Sequence, residues 1–156
     1  MNGGCMRIGV DDLSRPAIHA LLEEHLADMY ATSPEDSVHA LDVTALLVPT
    51  ITVWTLWDGD DLLGCVALKE HTPGDGEVKS MRTAATARGQ GVATRLLVHL
   101  LDEARRRGYA RVSIETGPQD FFAAARRLYL RHGFVPCGPF ANYRLDPHSL
   151  YLTLAL

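Results

Sequence analysis

Residues 87–97 read ARGQGVATRLL, with Gly89 and Gly91 one residue apart behind Arg88 and ahead of an apolar run. A glycine inside a helix or strand costs about 0.5–1 kcal/mol relative to alanine. The pair therefore marks a backbone that turns sharply or that something approaches closely. A strand passing through such a turn into a helix makes an anion site. The first helical N–H groups have no intrahelical partner, and the helix dipole adds positive potential. Arg88 adds a charge beside it, so the chemistry expected is binding of a phosphate-bearing cofactor. Proton-transfer groups stand at strand ends. Glu115 closes an alternating strand in SIETG, and His71 ends another. A histidine's ordinary pKa near ~6.5 suits a base at neutral pH. Glu77 opens a strand eleven residues ahead of Arg88, with Lys79 on the same strand face.

Several other chemistries are excluded. A nucleotide P-loop needs a lysine after its last glycine, and none follows here. A dinucleotide fingerprint needs a third glycine where Thr94 stands. The histidines lack H-x-x-x-H spacing and have no neighbouring cysteine, so no metal site is expected. Cys5, Cys65 and Cys137 are far apart and odd in number. They offer no disulfide framework, which fits a reducing, cytoplasmic setting. The opening MNGGCMRIGV lacks the basic and apolar regions of a secretion signal, and no apolar run nears the ~20 residues of a membrane helix.

Formal net charge is −4, which argues against nucleic acid as a partner. Its distribution is uneven. Residues 1–81 carry 4 basic and 14 acidic side chains, whereas residues 82–131 carry 10 basic and 4 acidic. The glycine turn lies in the positive block, which draws an anion, and the acidic half draws a cation.

The elements that must position these residues follow from periodicity. Residues 6–10 read as a strand. Residues 12–30 read as a helix through Ile18, Leu21, Leu22, Leu26 and Met29. A short helix capped by Ser37 or Asp42 runs through Leu47. Residues 51–57 and 62–71 form a hairpin about DGDD, and after the turn TPGDG residues 77–83 complete a meander. From Val92 to Arg107 the apolar spacing becomes helical, with Gly108 as the terminator. Residues 109–116 read as a strand, 119–132 as a helix stopped by Gly133, and FVPCG and SLYLTLAL as closing strands. No repeat or linker interrupts this order, so residues 1–156 read as one α/β domain.

Arg88 to Ala93 matches R-x-x-G-x-A and resembles the pyrophosphate-binding signature of the GNAT family of N-acetyltransferases. ARRLYLRHGFVPCG resembles that family's A-x-x-L-Y-x-x-x-G-F segment through Ala125, Leu128, Tyr129, Gly133 and Phe134. The likeness covers nearly the whole chain and is clearest over 63–140. HALD, ALKE, KSMRT and PCGPF resemble a set of bacterial acetyltransferases without naming a substrate. The resemblance implies a mixed, mostly antiparallel sheet of six to seven strands, helices on both faces, and a splay between the fourth and fifth strands.

It also implies roles. Backbone N–H groups of Arg88, Gly89, Gln90, Gly91, Val92 and Ala93 would hold the pyrophosphate of acetyl-CoA, with Thr94 as a side-chain donor. Met81, Arg82 and Thr83 would lie along the pantetheine arm. Tyr129 would be the general acid facing the sulfur, since a phenol with pKa near ~10 can donate to a thiolate. Glu77 matches a family glutamate that serves as base. Glu115 across the splay and His71 are rivals. Where the family often has an asparagine, this chain has Phe122. The acceptor would sit between residues 25–47 and 138–149, with Tyr143, Arg144 and His71 as candidate contacts, and Arg144 could clamp a carboxylate.

The leading expectation is acetyl-CoA-dependent N-acetylation of a small primary amine, without metal, nucleic acid or membrane, and with room for a homodimer. The competing readings are a protein lysine or N-terminal acetyltransferase, a CoA-binding sensor module without turnover, and a purely structural domain.

Overall fold

The computed structural model describes residues 5–156. Residues 1–4, part of the stretch read for a secretion signal, lie outside the described residues. The first strand, β1, is Met6–Val10. Helix α1 runs Pro16–Thr32 and the short α2 runs Val43–Leu46. The meander is β2 Ile51–Asp58, β3 Asp61–Thr72 and β4 Asp75–Thr83. Then come α3 Val92–Arg106, β5 Arg111–Thr116, α4 Ala123–Arg131, β6 Val135–Pro136 and β7 Leu150–Ala155. This order matches the one read from periodicity.

Boundaries shift where side chains intervene. Helix α1 begins at Pro16 instead of residue 12, because Asp11 and Asp12 accept the N–H groups of Leu13 and Ser14 and hold a turn there. Proline then takes the first helical position, where its missing N–H costs nothing. Asp42, not Ser37, caps α2 by accepting the Ala45 N–H at 2.8 Å. The helix expected from residue 119 starts as a tight 3-10 turn over Asp120–Phe122.

The seven strands are ordered β1-β2-β3-β4-β5-β7-β6. All neighbours are antiparallel except β4 and β5, which run parallel. That parallel pairing covers only Asp75–Glu77 against Arg111–Ser113. Beyond it the two strands part, which is the expected splay.

Both faces of the sheet are covered. Along β3, Cys65 and Ala67 point to a core built with Leu13, Ile18, Leu21, Leu22 and Leu46 from the α1 and α2 side. Val66 and Leu68 point oppositely, to a core with α3 and α4. Burial on both faces explains why β3 reads as a continuous apolar run. Helix α3 seats one stripe, Leu96, Leu97, Leu100, Leu101 and Ala104, in that second core. It ends where Gly108 takes φ +79°. No helix among the described residues is long and apolar enough to cross a membrane.

The α3 stripe fixes the direction of the helix whose N-terminus carries the glycine turn. Leu97 is fully buried and Val98 beside it is 42% exposed. Leu97→Ala should lower unfolding free energy by about 3 kcal/mol, as buried leucine truncations do. Val98→Ala should stay within about 0.5 kcal/mol. Chemical denaturation of both variants checks this.

Candidate active site

Strand β4 supplies one wall. Its register puts Glu77 opposite Lys69, Lys79 opposite Ala67 and Arg82 opposite Cys65. Ser80 and Met81 therefore share one partner position, a bulge centred on Ser80 at φ +53°. A bulge turns the strand by one residue, so Glu77, Lys79 and Arg82 all face α1. The β4 edge turned toward β5 loses its ladder partner beyond Glu77, leaving peptide groups free for an extended ligand.

Glu77 is 1% exposed; it is not a surface residue at a strand end. Its Oε1 lies 2.6 Å from His71 Nε2, and the Tyr143 hydroxyl donates to its Oε2 at 2.5 Å. Lys79 Nζ stands 3.4 Å from the same Oε2, which confirms the shared strand face. Lys79 also donates to the His39 carbonyl at 2.9 Å and to the Tyr143 oxygen at 3.0 Å. Lys79 thus makes two hydrogen bonds and one ion pair.

A cavity of about 110 Å³ lies beneath the end of α1 and the segment 33–40. Glu77, Lys79, Glu115 and Tyr129 line it. Burial, with Glu77 and Asp146 adding and Lys79 opposing, pushes the Glu115 carboxyl up to about 7. Tyr129 is 1% exposed and packs edge-on against Phe134, and burial raises its hydroxyl well above the usual phenol range. The last wall is pinned from afar: the Ser37 hydroxyl donates to Asp146 at 2.6 Å, joining the segment after α1 to the loop before β7.

A second cleft, of about 670 Å³, opens beside the first. Met81, Thr83, Arg88, Gly89, Gly91, Val92, Ala93 and Thr94 line it. Gly89 and Gly91 have φ +77° and +76°, and an added Cβ would meet nothing within 4 Å at either. The glycines are required by backbone conformation, and the space before them is open. Gly91 precedes α3 with no side-chain cap, so the first α3 N–H groups remain free.

The Gln90 side chain does not line the cleft; its amide turns back toward the Thr86 carbonyl, so the part expected of this residue falls to its backbone N–H. The Arg82 guanidinium binds Glu24 and Asp28 of α1, at 2.5 Å each, so only the flank of this residue borders the cleft. Arg144 is exposed and lines neither cavity, so it is not placed to clamp a bound carboxylate. His71 and Tyr143 also lie outside both linings; His71 reaches the cavity wall through Glu77, and Tyr143 through Glu77 and Lys79. Phe122, at the position where the family often has asparagine, borders both cavities.

Other residues were not picked out. His25 follows Ile18, Leu21 and Leu22 on the buried stripe of α1 and is more buried than Leu26, which the periodicity places in that stripe. Arg127 and Arg131, one turn apart on α4, line the cleft of the glycine turn. Their spacing was a legible signal. The Ser80 bulge had none.

The splayed sheet and the glycine turn at the start of α3 lie beside the cavity that Glu77 and Glu115 line. The sequence profile described as the acetyltransferase (GNAT) family matches residues 17–134, and the chain belongs to that family. It is 50% identical over 149 residues to the uncharacterized N-acetyltransferase YedL of Escherichia coli, covering 96% of this chain and 94% of that one. It is 47% identical over 151 residues to the uncharacterized N-acetyltransferase YsnE of Bacillus subtilis, covering 97% and 100%. The fold is shared with a GNAT family acetyltransferase from Elizabethkingia anophelis solved with acetyl-CoA bound. That similarity has TM-score 0.69 at 18% identity, over 97% of this chain and 98% of that one.

The raised Glu115 pKa carries a stability cost above its unfolded value. The folded protein holds the proton more tightly than the unfolded chain, so this contribution is intact below about pH 4.5 and is lost as pH rises toward 7. Between pH 5 and 8 the wild type should lose about 2 kcal/mol relative to Glu115→Gln, which has no proton to release. Urea denaturation of both proteins across that range measures the difference.

Proposed function

We propose that this chain is an acetyl-CoA-dependent N-acetyltransferase that acetylates the primary amine of a small molecule. One observation carries the reading: the carboxylate-lined cavity of about 110 Å³ abuts the cleft of the glycine turn, and the open strand edge of β4 runs between them. The residues fit the donor. Free α3 N–H groups, two positive-φ glycines before open space, and Arg88, Arg127 and Arg131 suit a pyrophosphate and a further phosphate. The Met81 flank of the bulge suits an extended amide chain.

Bound acetyl-CoA would supply the thioester carbonyl under attack and the departing thiolate. The residues of this chain perform the proton transfers. Both Glu77 oxygens are engaged by His71 and Tyr143, so Glu77 fits a bracing role that holds Lys79 and Tyr143. Glu115 has the pKa of a proton acceptor working near neutrality. We therefore assign it the ammonium proton, which reverses the preference for Glu77 drawn from the family position. Peptide N–H groups freed at the Ser80 bulge would receive the developing oxyanion. Tyr129 would protonate the thiolate.

The cavity favours a cationic acceptor. It presents Glu77 and Glu115, while its lysine is already hydrogen-bonded to the His39 carbonyl and to Tyr143 and paired with Glu77. An amine without a neighbouring carboxylate fits better than a free amino acid. A cytoplasmic setting accords with Cys5, Cys65 and Cys137, all free thiols.

Release of free thiol from acetyl-CoA across a panel of small amines tests the reading; binding without turnover on any amine would reduce the protein to a CoA-binding module. With an active amine, wild-type kcat/KM should level off above about pH 7. That of Glu115→Gln should keep rising about tenfold per pH unit toward the amine's own pKa, so its defect shrinks. If Glu77→Gln shows this profile instead, Glu77 is the base. Tyr129→Phe should lower kcat by about 10²-fold with acetyl-CoA affinity unchanged; an unaltered kcat would leave the ring a packing role against Phe134.

A further inference from the structure

Five residues line both cavities: His25, Met29, Met81, Phe122 and Ala125. They form the passage through which the glycine turn communicates with the carboxylates. Four of the five side chains have no N–H or O–H group. His25 alone brings a strong hydrogen-bonding group to this passage. It is 9% exposed, and its Nδ1 is fully buried without a hydrogen-bond partner. An unpaired buried polar atom costs roughly 1–3 kcal/mol. Such a cost persists in a folded protein where a ligand completes the bond.

The imidazole is not part of the neighbouring charge networks. Arg82 is held by Glu24 and Asp28, and Lys79 by His39, Tyr143 and Glu77. Burial lowers the His25 pKa to about 4, with Arg82 and Lys79 acting in the same direction and Asp28 opposing. The ring is therefore neutral through the physiological range. A neutral imidazole suits an uncharged amide better than an anion or an ammonium. Phe122, which also lines both cavities, supplies no hydrogen bond to such a group.

We propose that His25 recognises the acyl donor by hydrogen bonding an amide of its pantetheine arm in the passage between the two cavities. This rests on the acetyl-CoA reading above. His25 is a specificity residue for the arm, separate from the phosphate grip of the glycine turn and from the proton transfers. It works from the apolar stripe of α1, whose buried leucines fix the position of the ring.

Calorimetric titration of CoA and of adenosine 3′,5′-bisphosphate, which lacks the arm, separates the contributions. Wild type should bind both. His25→Leu should weaken CoA tenfold or more and leave the bisphosphate within twofold, which also reports an intact cleft. His25→Asn, whose amide reaches the place of Nδ1, should recover most of the loss. Unchanged CoA affinity in His25→Leu, or equal losses for both ligands, would overturn the assignment. Failure of the wild type to bind either ligand would instead overturn the acetyl-CoA reading beneath it.

Discussion

The parallel contact between β4 and β5 lasts three residues on each strand and then ends. Everything in the candidate site depends on that early parting. A sheet paired to its full length would satisfy the β4 edge internally and leave no room between the strands. Here the ladder continues on the other side, to β3, while the β5 side is left open. Peptide groups cannot stay unpaired in a dry interior. An open edge at this point is therefore tied to water or to an extended ligand. The bulge at Ser80 sharpens the effect by twisting the strand where it begins to part.

The splay is held open by packing on both faces. Gly64 in β3 allows the start of α3 to sit directly on the sheet: a Cβ there would come within 2.7 Å of Val92 Cγ1 and 2.8 Å of the Arg82 carbonyl. On the other face, Arg82 is nearly buried and its charge is balanced by Glu24 and Asp28 of α1. A buried guanidinium without partners would be strongly destabilising. The ion pairs therefore help fix α1 over β4, and with it His25 and Met29. One residue of β4 thus links the cleft wall to the helix that roofs the passage.

The acceptor side is built from parts distant in sequence. Glu77 is held by His71 and by Tyr143, sixty-six residues later. Ser37 and Asp146, 109 residues apart, join the two segments that cover the cavity. Glu115 lines the same small cavity, and burial raises its pKa, with the neighbouring Glu77 charge adding to the effect and Lys79 opposing it.

The sequence by itself determined the order of the elements, the amphipathic stripe of α3, the glycine turn and the GNAT signatures around Arg88 and Tyr129. These are local properties. Helical spacing, chain reversal and backbone freedom are set by neighbours within a few residues, and a cofactor held mainly by backbone N–H groups leaves a compact motif. Tertiary structure alone decided which side chains meet. Arg144 and Tyr143 are one residue apart, yet Arg144 ends in solvent and Tyr143 on Glu77. His25 belongs to the buried stripe of α1, and only the packing of that stripe brings it to the passage. The bulge at Ser80 follows from register between strands, which no single strand encodes. Burial, the main cause of the shifts at Glu115 and His25, is a property of the assembled fold.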